Sequence, residues 1–329
     1  MERSQDAAAP LTKPLSEPLV EPLTLLGQVQ RIGLWAHIAA MVFGLAGLLL
    51  VLPNTDFIAQ LSPLGMQVFA WGMSAGGTTY IVLGALAVAL YGGRTFGWRN
   101  LLGFALPAIA LSLGSELLGT STGFPFGHYS YLSGLGYKVA GLVPFTIPLS
   151  WFYLGFSTYI LARAGLAARG VTGWPQKLGA IALGSILLTA WDLVLDPAMS
   201  QAPYPFWEFQ DAGEFFGMPY RNLTGWVGTG AVFMTVGSLL WPELTPPRDR
   251  AALTFPLVVY LVNFAFGAAI TLTQLDSGFA IPASLGVLFG VAPAIALWQA
   301  VPGSRNSWSA PLGAGLSLLL TFFNRSSNS

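Results

Sequence analysis

Cysteine is absent from this chain of 329 residues, and histidine is limited to His37 and His128. The first absence excludes disulfides, zinc thiolates, iron–sulfur clusters and thiol nucleophiles. The second excludes an iron oxygenase built on repeated histidine boxes. Charge is scarce as well: 9% of residues are charged, against roughly a quarter in soluble domains. Lysine occurs only at 13, 138 and 177, outside the apolar runs, which speaks against a Schiff-base lysine holding a retinal. With a net charge of zero the chain lacks the basic clusters that nucleic acid requires. No flavin or nicotinamide fingerprint is present, and no metal site is expected.

What is present is hydrophobic surface, at 54% of residues. Runs long enough to cross a bilayer, about 17–25 residues, fall near 33–52, 68–91, 101–119, 139–162, 177–196, 226–242, 252–273 and 281–301. The expected fold is all-α: a polytopic membrane protein with about eight transmembrane helices, its membrane domain spanning 31–303. Residues 1–30 carry Pro-Leu at 10, 14, 18 and 22, which reads as a flexible tail and, with its acidic residues, not as a signal peptide. Residues 304–329 form a second tail, whose apolar patch from Ala310 to Phe323 is short for a span and is placed along the interface.

Orientation follows from the basic residues. With the N-terminus cytoplasmic, that side receives twelve of the fourteen Lys and Arg residues, and only Lys138 and Arg221 fall opposite. The positive-inside bias therefore predicts a multi-pass protein with both termini in the cytoplasm. Two polar, aromatic loops, Glu116–Lys138 and Trp191–Trp226, then share the non-cytoplasmic side.

Those loops hold the candidate chemistry. Glu116, Asp192 and Asp196 close two apolar runs, and burying a lone carboxylate in hydrocarbon is costly, so such groups pair, neutralise or face water. Asp192 and Asp196 are one helical turn apart on a shared face. Read as structure, they cap a helix; read as chemistry, they are a coupled acid pair. Thr120, Phe124, Phe126, His128, Tyr129, Tyr131, Trp191, Trp207, Glu208, Asn222 and Trp226 are candidates for holding substrate or water. Aromatic faces can wall an apolar pocket and stabilise a passing cation. Together these groups suit protonation of an unactivated alkene followed by capture of water, chemistry that needs no redox cofactor. Elsewhere, Gly72-x-x-x-Gly76 and Gly286-x-x-x-Gly290 are expected to pack helices closely, Pro144 and Pro148 to kink the fourth span, and His37 to be a satisfied interior histidine.

Glu116 with GTSTGFPFGHYSY at 119–131, LGYK at 135–138, VPFTIPLSW at 143–151, AWDLVLDPAM at 190–199 and FGMPYRNLTGW at 216–226 resembles the integral-membrane carotenoid 1,2-hydratase family, across roughly residues 30–300. The resemblance implies hydration of the terminal double bond of an acyclic ψ end group. The substrate would be a carotenoid in the bilayer, of γ-carotene, lycopene or elongated type, with water as co-substrate and other carotenoid-pathway enzymes as candidate partners. Two other classes compete. An intramembrane prenyltransferase would use Asp192-x-x-x-Asp196 as half of a magnesium–diphosphate site, but it needs a second Asp-rich motif and more basic residues. A carotenoid-binding scaffold or transporter would leave pigment chemistry unchanged when its carboxyls are replaced.

Overall fold

The computed structural model describes residues 25–211, 213–241 and 245–303. The tail expected at 304–329, and residues 1–24 of the N-terminal one, lie outside the described residues; residues 25–30 are helical. Helix α1 (Leu25–Ala46) runs into a π-helical turn, Gly47–Val51, and a short α2 (Thr55–Ala59) leads to α3 (Pro63–Phe96). Helix α4 (Trp98–Thr122) is followed by strands β1 (Tyr129–Tyr131), β2 (Lys138–Val139) and β3 (Val143–Pro144). Then come α5 (Thr146–Ala168), α6 (Gly173–Ser200), β4 (Trp207–Phe209), α7 (Tyr220–Leu240) and α8 (Arg250–Gln274). The last segment is α9 (Ala280–Gly286), a π-helical turn at Val287–Val291 and α10 (Ala292–Ala300).

Among the described residues, seven segments are long and apolar enough to cross a membrane: Leu25–Val51, α3, α4, α6, α7, α8 and Ser277–Ala300. They correspond to seven of the expected spans and make this an all-α, multi-pass membrane protein. The eighth, α5, has the length of a span but a different environment. From Thr146 to Gly165 all of its residues except Leu149 are buried, and it packs on α3, α4, α6, α8 and α10. A helix surrounded by protein can carry polar groups, provided they are satisfied internally. Ser150 and Ser157 donate to the carbonyls of Ile147 and Tyr153 at 2.8 and 2.7 Å, and Tyr153 donates to Asn263 at 2.8 Å.

The expected kink in that span does not occur. Pro144 ends β3, and Pro148 sits in the first turn of α5, where a missing N–H breaks no helical bond. Prolines lie inside helices instead at Pro107, Pro197 and Pro256. His37 is fully buried: its Nδ1 donates to the Tyr80 carbonyl at 2.7 Å, and its Nε2 accepts from Asn263 at 3.1 Å. It is a satisfied interior histidine.

The two glycine motifs differ. A Cβ at Gly290 would stand 2.3 Å from the Tyr260 hydroxyl and 2.9 Å from the Ala190 Cβ, and one at Gly286 would stand 3.0 Å from the Ala190 carbonyl, so this pair seats the last segment on α6 and α8. At Gly72 a Cβ would meet only the Phe43 ring, at 3.3 Å, and at Gly76 it would meet nothing within 4 Å. Gly290→Ala is therefore expected to cost about 1–3 kcal/mol through overpacking and Gly76→Ala to be neutral or slightly stabilising, as read from thermal unfolding in detergent.

Candidate active site

Glu116 stands in the penultimate turn of α4, buried among neighbouring helices. The helix stops at Gly123, whose left-handed backbone (φ +78°) returns its N–H to the Gly119 carbonyl at 2.8 Å. The chain then doubles back as β1 across the end of the bundle. Successive strand side chains point to opposite faces, so Tyr129 and Tyr131 face inward and Ser130 outward. Both phenols reach Glu116 Oε2, Tyr131 at 2.8 Å and Tyr129 in a short contact. Burial first, and then the adjacent Glu116 charge, push both phenols well above their ordinary range, so they remain donors. On Oε1, Glu116 accepts the indole N–H of Trp151, from α5, at 2.8 Å.

The second loop is zipped onto the first. Strand β4 pairs antiparallel with β1 in the register Tyr129↔Phe209, Ser130↔Glu208 and Tyr131↔Trp207. The register turns Phe209 and Trp207 inward beside the tyrosines, while Glu208 stays outside, accepting from Ser130 at 3.3 Å. Trp207 donates its N–H to Asp196 Oδ1 at 3.0 Å. From α7, the single amide nitrogen of Asn222 reaches Oδ2 of Asp192 at 3.0 Å and Oδ2 of Asp196 in a short contact. Asp192 Oδ1 is buried without a hydrogen-bond partner.

These groups enclose a cavity of about 40 Å³ lined by Glu116, Asp196, Asn222 and Ser150, with a wall of Phe126, Tyr129, Tyr131, Trp151, Trp207, Phe209 and Trp226. A water needs about 10–15 Å³ by this measure, so the space suits a few waters. Trp151 and Trp226 stack with ring centroids 4.0 Å apart. Phe126 fits between helices because Gly119 and Gly225 have no side chain; a Cβ there would stand 2.8 and 2.6 Å from its ring. The two loops thus meet at one end of the bundle, as the alternation of spans predicts.

Other expected site residues lie off the cavity lining. Asp192 is completely buried behind Asp196, and Trp191 is buried against Trp226 with centroids 5.8 Å apart. Thr120 returns its hydroxyl to the carbonyls of Glu116 and Leu117 at 2.8 and 3.2 Å. Phe124 is exposed. His128 is also exposed, held at the rim by Asp211: its backbone N–H and its Nδ1 lie 2.8 and 3.0 Å from the two carboxyl oxygens. Conversely, Trp151, Ser150, Ile147, Leu195 and Phe209 line the cavity without having been singled out from the sequence. Trp151 carried a signal, an indole in an apolar run three residues after a proline, but an interfacial anchor looks the same.

Asp211 clasps the two loops. The His128 backbone N–H, then its ring, and Arg221 3.9 Å away hold this carboxyl below the usual range. A depressed folded-state value means stabilisation that is present above the unfolded value of about 3.9 and is lost as pH falls through the folded one. Acidification from about pH 5 to pH 2 is expected to lower the protection of the His128 and Gln210 amides, measured against intrinsic exchange at each pH, and Asp211→Asn to remove most of that acid dependence.

The fold and site define a helical membrane protein with a water-sized, carboxyl-bearing aromatic chamber at one end of its bundle. The chain belongs to the carotenoid biosynthesis protein family, whose family model matches residues 76–293. Over 131 residues it is 36% identical to the bisanhydrobacterioruberin hydratase of Haloarcula japonica; the match covers 40% of this chain and 42% of that protein. No solved structure matches.

Proposed function

We propose that this protein hydrates carotenoids, adding water across the terminal C1'=C2' double bond of an acyclic ψ end group to give a tertiary 1'-hydroxy carotenoid. The observation that carries this reading is the cavity: two carboxyl groups, Glu116 and Asp196, face one space of water size inside aromatic walls. A carboxyl O–H bond breaks, and its proton forms the new C2'–H bond with the alkene π pair. The cation left at tertiary C1' rests against aromatic faces. A water oxygen bonds to C1' and loses a proton to a carboxylate, so the net change is addition of one water. Preorganised groups in a site of low dielectric make such charge development affordable. The cavity is too small for the end group itself, so its admission requires the aromatic lining to part.

The relative's name supports hydration as the reaction type. It specifies bisanhydrobacterioruberin, whereas γ-carotene and lycopene types are the substrates first expected for this chain, so all three belong in the test. The test is pigment analysis in a host making each carotenoid, with and without this chain. A pigment heavier by one water appears with at least one of them if the proposal holds; unchanged pigments from a well-expressed chain with all three contradict it. The basic-residue asymmetry further supports placing both termini in the cytoplasm, with the chamber at the opposite surface. Reporter fusions at Leu132 and at the C-terminus check this: only the second should give a cytoplasmic signal.

A further inference from the structure

Resting on that reaction, the geometry points to a division of labour among the three acids: Asp196 gives the proton, Asp192 is the sealed positioning partner that shares it, and Glu116 takes the proton from water. Glu116 accepts three hydrogen bonds, from Tyr129, Tyr131 and Trp151, which occupy both of its oxygens. A carboxyl that only accepts is set up as a carboxylate, and a carboxylate on the cavity wall is placed to receive a proton from water.

The aspartates are arranged differently. Their carboxyls lie within hydrogen-bonding reach of each other. Both hydrogens of one amide, that of Asn222, are spent on them. Neither forms an ion pair with a Lys, Arg or His among the described residues. Two charged carboxyls in such a place repel without compensation, so the pair retains one proton between them. Asp192 Oδ1, buried with no donor, is the oxygen least able to carry charge. Only Asp196 of the two lines the cavity, so the shared proton leaves through Asp196. In the cycle the Asp196 O–H breaks as the C2'–H bond forms, Glu116 gains a proton from the attacking water, and that proton returns to the aspartate pair through cavity water.

The experiment uses membranes carrying the full chain, equilibrated in D2O and supplied with lycopene, or with whichever of the three carotenoids the wild type hydrates. Wild type should give a hydrated product with one fixed deuterium at the protonated carbon. Asp196→Asn should give neither product nor labelled carotenoid, a loss of at least about 100-fold, with Asp196→Glu restoring part of the activity. In Glu116→Gln the cation still forms but loses a proton instead of gaining water, so recovered carotenoid carries deuterium without oxygen. Asp192→Asn should lower kcat with KM unchanged, at matched membrane content and thermal midpoint; a purely structural Asp192 would shift content and midpoint instead. Deuterium-labelled pigment from Asp196→Asn, unlabelled pigment from Glu116→Gln, or wild-type kcat in Asp192→Asn overturns the assignment. A wild-type chain that hydrates none of the three overturns the reaction itself.

Discussion

Asn222→Leu is expected to remove the proposed hydration activity and to destabilise the protein by about 3–5 kcal/mol, the scale of two lost hydrogen bonds to a charged carboxyl pair at about 1.5–3 kcal/mol each. Leucine keeps the branched outline of the side chain, in a larger volume, and removes both donors. Both amide hydrogens now bridge Asp192 and Asp196; without them the pair is left with the proton it shares and, on Asp196, the Trp207 indole. Asn222→Gln keeps the amide but displaces it by one methylene, and should fall between wild type and leucine in both properties. Pigment conversion at matched expression and thermal unfolding in detergent measure the two effects. A leucine variant of wild-type stability and rate would show that the amide does not hold the acid pair.

The second large effect is expected when Tyr129 and Tyr131 both become phenylalanine. Each hydroxyl donates to the same oxygen of Glu116, and a hydrogen bond to a charged group contributes about 1.5–3 kcal/mol. Because the bonds converge, either single change leaves Oε2 one donor, while the double change leaves it bare and buried. The double variant should therefore lose more than the sum of the single ones, with a coupling of about 0.5–3 kcal/mol. The aromatic rings and their contacts with Trp207 and Phe209 are retained, so a loss of activity would trace to the hydroxyls. Simple additivity in a thermal double-mutant cycle would contradict a shared carboxylate.

Much of this architecture is legible in the sequence because lipid imposes a coarse rule: a span must be long, apolar and internally hydrogen-bonded. That rule locates the helices but not their neighbours. It cannot show that α5 is enclosed while α1 and α3 present residues such as Trp35 and Trp71 outward. It also carries the fourth span back to residue 139, where the chain instead forms the β2–β3 hairpin before α5 begins at Thr146.

The acids were legible for an energetic reason, since Glu116 and Asp196 interrupt apolar runs at a cost that only a partner or a function offsets. Their holders were less so. Tyr131 and Trp207 are cross-strand neighbours, yet each strand is three residues long and the pairing joins loops far apart in sequence. The alternation in Tyr-Ser-Tyr and Trp-Glu-Phe is visible once the pairing is known, but three residues are too few to announce a strand. His128 and Glu208 were drawn toward the site by their chemistry; in the fold, Asp211 and the outward strand face take them to the rim.

Hydration as proposed draws the oxygen of the product from water. Its most direct measurement uses membranes containing the chain, the carotenoid it converts, and oxygen-18 supplied in parallel as labelled water or labelled dioxygen. The account predicts a hydroxylated product that takes its oxygen from water alone and forms equally well under argon. Label arriving from dioxygen, or conversion that stops when dioxygen is removed, would contradict it.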